Sequence, residues 1–143
     1  MILLDTNVVS AVMKPLPNPV VLRWLDRPPV VDLYLSSITI AEIGFGLNLL
    51  PEGRRRRDLE TRFELFVHRG FEDRILPFDE PAAREYAKLM SLRRRIGRPM
   101  SSLDGQIAAI ARAHGFAVAT GNVRDFEDVG VEVLEPFAEE NDR

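Results

Sequence analysis

Residues 1–10, Met1-Ile2-Leu3-Leu4-Asp5-Thr6-Asn7-Val8-Val9-Ser10, decide how the rest of the chain is read. Four apolar residues run into Asp5-Thr6-Asn7, and a second apolar stretch follows. A short unbroken apolar run that stops at turn-forming residues fits a strand buried on both faces, the habit of parallel sheets. Asp5 then stands at the carboxyl end of a buried strand. A residue there either closes an Asx turn with its own side chain or offers its oxygens to a ligand.

Outward from this point, strand and helix alternate. Ile2–Leu4 is the first strand, and Val8–Met13 opens a helix that Pro15, Pro17 and Pro19 end. Val20–Asp26 is a second short helix, and Pro28-Pro29 forces a turn. Leu33–Ser36 reads as a strand. A helix spans Ile38 to Leu50, with Thr39 three residues before Glu42 in capping-box spacing. Pro51-Glu52-Gly53 breaks the chain, and Arg55–Arg69 is a helix with Leu59, Phe63, Phe66 and Val67 on one side. Arg74–Phe78 is a strand, and a helix runs from Asp79-Glu80-Pro81 to about Ile96. After the Gly97-Arg98-Pro99 loop, Ser101 or Ser102 caps the helix Leu103–His114, which Gly115 ends. Phe116–Ala119 and Val131–Leu134 are the last strands, separated by the loop that begins Thr120-Gly121-Asn122. Strands separated by helices predict a parallel sheet with helices on both faces. Such sheets bind ligands at the carboxyl ends of their strands.

The 143 residues, 45% hydrophobic and 29% charged, suit one domain over positions 1–143. Cysteine is absent, so disulfides and thiolate metal sites are excluded, in keeping with a reducing cytoplasm. No signal-peptide pattern opens the chain, and no apolar run approaches the roughly 18 residues of a membrane span. The expectation is a soluble intracellular protein whose fold begins at residue 1. Net charge is −3, so nothing global draws the chain to nucleic acid. Locally, basic residues cluster in Arg54–Arg57 and in Arg93, Arg94 and Arg95 with Arg98. Guanidinium forks suit phosphate, although a charge run also makes an ordinary solvated helix face.

Asp5, Glu42 and Asp104 fall at a strand end and at two helix starts, and Asn122 and Asp125 lie in the loop after a later strand. A parallel sheet brings all of them to one edge. Singly, each has a structural explanation: an Asx turn for Asp5, favourable first-turn acids for Glu42 and Asp104. Together, three carboxylates on one edge repel one another and call for a counter-charge. Oxygen-only ligands without His or Cys suit Mg²⁺ or Mn²⁺. Carboxylate-held hard cations are how nucleases activate water and steady the leaving oxygen. His68 and His114 are isolated on helices and read as surface or capping residues. Tyr34, Phe45, Phe63 and Tyr86 read as core or dimer packing.

Four segments in order, LLDTNVVS, SSITIAEIGFGL, MSSLDGQIAAIARAHG and ATGNVRDFEDVGVEVLEPF, resemble the PIN domain. Within it they are similar to the VapC-type, FitB-like toxins of type II toxin–antitoxin modules. The resemblance covers essentially the whole chain. It implies a parallel-sheet α/β/α fold and a Mg²⁺- or Mn²⁺-dependent endoribonuclease that attacks structured RNA such as tRNA. It also implies a homodimer and a small cognate antitoxin, whose C-terminal segment blocks the site and whose N-terminal part binds operator DNA. Asp5, Glu42 and Asp104 match the family's first three acidic positions. The fourth falls at Asn122, whose amide oxygen can ligate but brings no charge; Asp125, three residues on, is the alternative. The implied roles are metal binding by Asp5 and Asp104, and for Glu42 either ligation or service as the base. Thr6 and Thr120 are candidates to orient water or ligands, and Arg93, Arg94, Arg95 and Arg98 to hold RNA phosphates.

Two rival readings carry less. A haloacid-dehalogenase-type phosphatase needs a second Asp two residues after the first, where this chain has Asn7. A binding module that keeps the fold but lacks activity would follow from a site weakened by Asn122. No G-x-G-x-x-G or P-loop is present to bind a nucleotide.

Overall fold

A computed structural model describes residues 1–139; positions 140–143 of the expected 1–143 domain lie outside the described residues. Five short strands, β1 (Ile2–Leu4), β2 (Leu33–Ser36), β3 (Ile75–Leu76), β4 (Ala117–Ala119) and β5 (Val133–Leu134), form a wholly parallel sheet in the order β3-β2-β1-β4-β5. Six α-helices flank it: α1 (Thr6–Met13), α2 (Pro19–Leu25), α3 (Ser37–Leu49), α4 (Arg54–Gly70), α5 (Glu80–Arg95) and α6 (Ser102–His114).

The two-residue period of a strand separates the layers. Leu4, Leu35 and Ala119 point to one face, where Val8, Val9, Ile43, Leu47, Phe63 and Val67 close a core. Leu3 and Val118 point to the other, against Ala82, Leu89, Ile107 and Ile110. Leu3, Leu4 and Val118 are fully buried, and each such side chain contributes about 1.5–3 kcal/mol through apolar burial. The result is the expected three-layer α/β/α arrangement. Helices α5 and α6 pack closely because Gly105 has no Cβ; one there would collide with the Met90 sulfur.

The strand order fixes where a ligand can sit. From β1 the chain steps through β2 to β3 on one side, then crosses to place β4 on the other flank of β1. The reversal leaves a crevice between the carboxyl ends of β1 and β4. Asp5 directly follows β1, and Thr120 directly follows β4.

Several element edges differ from expectation. Helix α1 begins at Thr6 rather than Val8, because Asp5 is its N-cap and accepts from the Thr6 N–H at 2.8 Å. Ser36, not Thr39, caps α3: its Oγ accepts from the Thr39 N–H at 3.1 Å. Strand β2 runs into α3 without a loop, so the helix starts before the capping-box spacing suggests. Thr39 is left buried inside the helix with its hydroxyl free for other use. Ser101 rather than Ser102 caps α6, and Gly115 ends it at a left-handed φ of 70°. The third strand pairs over Ile75 and Leu76 alone.

Candidate active site

The crevice is a cavity of about 460 Å³ whose wall includes Asp5, Thr6, Asn7, Glu42, Asp104 and Asn122. Four separate stretches of chain supply these groups: the β1–α1 junction, the second turn of α3, the first turn of α6 and the loop after β4. Three of them are the carboxylates expected to converge, and they do so on one wall. Phe137 also lines the cavity, its ring lying flat enough on Gly121 that a Cβ there would approach two ring carbons to 3.0 Å.

Asp5 is only 3% exposed and is held by three donors. Its Oδ1 accepts from the Thr6 N–H at 2.8 Å, and its Oδ2 accepts from the Thr120 hydroxyl at 2.8 Å and the Asn7 side-chain N–H at 3.2 Å. A carboxylate offers about four acceptor positions, so one remains for a further ligand. Burial pushes the Asp5 carboxyl up to about 6, against the Thr120 and Thr6 hydrogen bonds that favour its charged form; the charges of Asp104 and Glu42 push it further up. Burial likewise raises Asp104, a hydrogen bond from Ser101 opposes the shift, and the Asp125 charge adds to it.

Thr120 is fully buried and links both sides of the crevice, donating to Asp5 and accepting from the Asn122 N–H at 2.9 Å. Asn7 does the same from β1: its amide N–H reaches Asp5 while its Oδ1 accepts from the Gly121 N–H at 3.0 Å. Glu42 is oriented by hydroxyls. The Thr6 Oγ1 donates to Glu42 Oε1 at 2.9 Å, and Thr6 and Thr39 hydroxyls lie 3.1 Å apart. Thr6 has one hydroxyl proton, so the bond to Glu42 makes Thr39 the donor to Thr6, and Ser36 in turn donates to Thr39 at 3.4 Å. This relay from β2 to the cavity leaves Glu42 Oε2 available.

Asn122 lines the cavity, whereas Asp125 does not. Asp125 sits in a 3₁₀ turn over Val123–Phe126 whose N–H bonds back to the Asn122 carbonyl. Among the described residues, no three His, Asp or Glu side chains stand close enough together to enclose a metal ion. Asp5, Glu42 and Asp104 thus share a cavity rather than a finished coordination sphere. Apart from the Lys14 ammonium, the polar side chains on its wall offer oxygens and amides, with neither His nor Cys among them, a set that fits a hard cation.

The basic candidates divide. Arg93 is 4% exposed and is a strut, not the phosphate contact expected of it. Its Nε donates to the Arg98 carbonyl at 2.6 Å, and its Nη1 to the Asp125 and Glu127 carbonyls at 3.2 and 2.6 Å. Arg98 is similarly engaged: its guanidinium pairs with Glu127 and Asp128 at 3.0 Å each and bonds the Arg124 carbonyl at 3.1 Å. Both arginines brace the loop that carries Asn122 and Asp125. Arg94 and Arg95 are exposed and lie outside the cavity wall.

Sequence reasoning missed Asn7 as a link, the Ser36–Thr39 end of the relay, and Phe137. Asn7 carried a signal, since two Asx residues flank Thr6 at the turn; Phe137, packed from a distant position on Gly121, carried none.

Comparison with known proteins agrees with this architecture. The family model described as PIN domain matches residues 2–132. VapC ribonuclease Y4jK of Sinorhizobium fredii is 44% identical over 137 residues, covering 96% of this chain and 98% of that protein. Toxin FitB of Neisseria gonorrhoeae is 43% identical over 137 residues, covering 96% of this chain and 99% of that one. In the solved structure of FitAB bound to an IR36 DNA fragment, a chain 42% identical superposes with a TM-score of 0.91 over 100% of both chains. The chain belongs to the PIN domain family and stands with its VapC and FitB members.

Proposed function

We propose that this protein is the toxin of a type II toxin–antitoxin module, an endoribonuclease that hydrolyses RNA phosphodiester bonds with the help of Mg²⁺ or Mn²⁺. The observation that carries the reading is the cavity itself, where Asp5, Glu42 and Asp104 arrive from three elements at the strand-order reversal. The likeness to a VapC ribonuclease and to toxin FitB supports it. Structured RNA, tRNA first, is the substrate class to try. The partners in this reading are a second copy of the chain and a cognate antitoxin with a DNA-binding N-terminal domain. The cytoplasm, where RNA is at hand, is the compartment; among the described residues no helix is long and apolar enough to cross a membrane.

Asp5 and Asp104, with Glu42, are the residues that would hold the cation. When bound there, Mg²⁺ or Mn²⁺ supplies positive charge against the phosphoryl oxygens and lowers the pKa of water. The chain's own groups do the rest. Asp5 is fixed by Thr6, Asn7 and Thr120, so its remaining acceptor position points without rotamer loss. Glu42, held at one oxygen by Thr6, keeps the other either to join the cation or, as the base, to receive the proton of the attacking water. Water adds to phosphorus and one ester oxygen departs. Asn122 reaches the cavity without adding a fourth negative charge.

The test is cleavage of a tRNA and rRNA pool by the purified protein with Mn²⁺, with EDTA, and with Asp5→Asn. The expected result is cleavage by the wild type in Mn²⁺ only, with a loss of about 10²–10³-fold in the variant, as for removal of an electrostatic anchor of the transition state. Cleavage by neither protein would favour the inactive binding module instead.

A further inference from the structure

The carboxylate cavity does not end at its own wall. Thr6 and Ser10 share one side of α1, and Lys14, the residue that caps its C-terminus, follows at the same four-residue spacing. All three line the cavity, and all three also line an adjoining hollow of about 330 Å³ that reaches Leu59 of α4. Lys14 and Leu59 in turn line a third hollow of about 900 Å³ along the start of α4. Lys14 is common to the three. The hollows therefore form one groove leading from Asp5 and Glu42, past Lys14, to Arg54, Arg55 and Arg62.

The charges of this groove are unbalanced. Its outer part carries Lys14, Arg54, Arg55 and Arg62 against a single acid, Asp58. Among the described residues, none of those four cations forms an ion pair. Helix α4 also opens with Arg54–Arg57 and no acid in its first turn, where the helix dipole favours negative charge. Cations placed against that preference leave a strongly positive surface in search of an anion. Leu16, 90% exposed, stands beside them as an apolar platform.

We propose that this groove holds the RNA strand next to the scissile phosphate, with Lys14, Arg54 and Arg55 on its backbone phosphates. The proposal rests on the reading that the cavity cleaves RNA, and it names the path by which the strand enters. Lys14 is the hinge of that path, because it alone borders the cavity and both outer hollows among the cations. The opposite flank of the cavity provides no such route, since Arg93 and Arg98 there are engaged with the protein itself.

The experiment measures fluorescence anisotropy of a labelled 20-nucleotide single-stranded RNA against salt concentration. Asp104→Asn is the common background, in EDTA, so that RNA is not consumed. Lys14→Ala/Arg54→Ala/Arg55→Ala is the test variant. Arg69→Ala/Arg84→Ala/Lys88→Ala removes the same number of exposed cations elsewhere. The expected result is a salt slope flatter by about 2 in the test variant, from three lost single-strand phosphate contacts, and roughly tenfold weaker binding, with the control unchanged. Lys14→Arg in place of Lys14→Ala restores part of the slope. With Asp104 restored, the test variant raises KM for RNA about tenfold and leaves kcat within about twofold, the signature of lost uniform binding. An unchanged slope in the test variant, or an equal loss in the control or in Arg94→Ala/Arg95→Ala, overturns the groove while cleavage by the wild type leaves the nuclease reading standing. Failure of the parent to bind or cleave any RNA overturns both.

Discussion

Two runs of arginine look alike in this chain and do opposite things. Arg93 and Arg98 turn inward onto the loop after β4, where carbonyls and two acids hold them. Arg54 and Arg55 stand at the head of α4 on a groove that reaches the carboxylate cavity, and among the described residues neither forms an ion pair. Composition and spacing cannot separate the two runs; partner geometry does. A buried guanidinium needs its donors matched, and the carbonyls of Arg98, Asp125 and Glu127 match those of Arg93. Arg93 and Arg98 belong to the scaffold that positions Asn122. Arg54 and Arg55 face the groove, while their neighbour Arg56 is paired with Glu60 at 2.7 Å.

The contrast breaks most visibly at Arg93. Arg93→Ala leaves three carbonyls without their donor and is expected to cost about 1–3 kcal/mol, read as a lower urea midpoint with an unchanged m-value. A loss below about 1 kcal/mol would mean that the loop stands without its strut.

The acid side of the cavity gives the next effect. The folded-state value of Asp5, about 6, lies above its ordinary 3.8. The folded protein therefore binds the extra proton between these values, and stability falls as pH rises through them. The span corresponds to about 3 kcal/mol at 1.36 kcal/mol per unit. Stability from chemical denaturation between pH 3.5 and 7 is expected to show this decline, and Asp5→Asn to flatten it. A wild-type profile that rises over the same range would place the Asp5 charge in a stabilised setting instead.

The smallest expected effect is on the exposed run. Arg54→Ala/Arg55→Ala is expected to shift unfolding free energy by no more than about 0.5 kcal/mol, as for surface positions without partners. A large loss would move these residues into the scaffold with Arg93.

Much of this was legible in the sequence, and what was not follows a pattern. The apolar run before Asp5, the alternation of strand and helix, and the Ser101 and Gly115 boundaries of α6 were readable because each rests on local chemistry. The convergence of Asp5, Glu42 and Asp104 was readable because a parallel sheet sends strand ends to one edge. Thr39 was misassigned because Ser36 competes for the same helix start, a contest of neighbours that spacing alone does not decide. The Thr39–Thr6–Glu42 relay and the Asn7–Gly121 bond join residues 33 and 114 positions apart, and such partners have no local signature. Arg93 reads from sequence as a candidate phosphate contact because three consecutive arginines on a helix look like a free basic face, and the partners that hold it lie up to 34 residues away.

In the proposed function, carboxylates from separate elements act as a single site for a divalent cation. Titration of Mn²⁺ into the protein at neutral pH, with free ion followed by electron paramagnetic resonance, tests it most directly. The expected result is saturable Mn²⁺ binding by the wild type that both Asp5→Asn and Asp104→Asn abolish or weaken by at least about tenfold, as for loss of a charged ligand from a shared site. Indistinguishable binding curves for all three proteins, or no binding by the wild type, would contradict it.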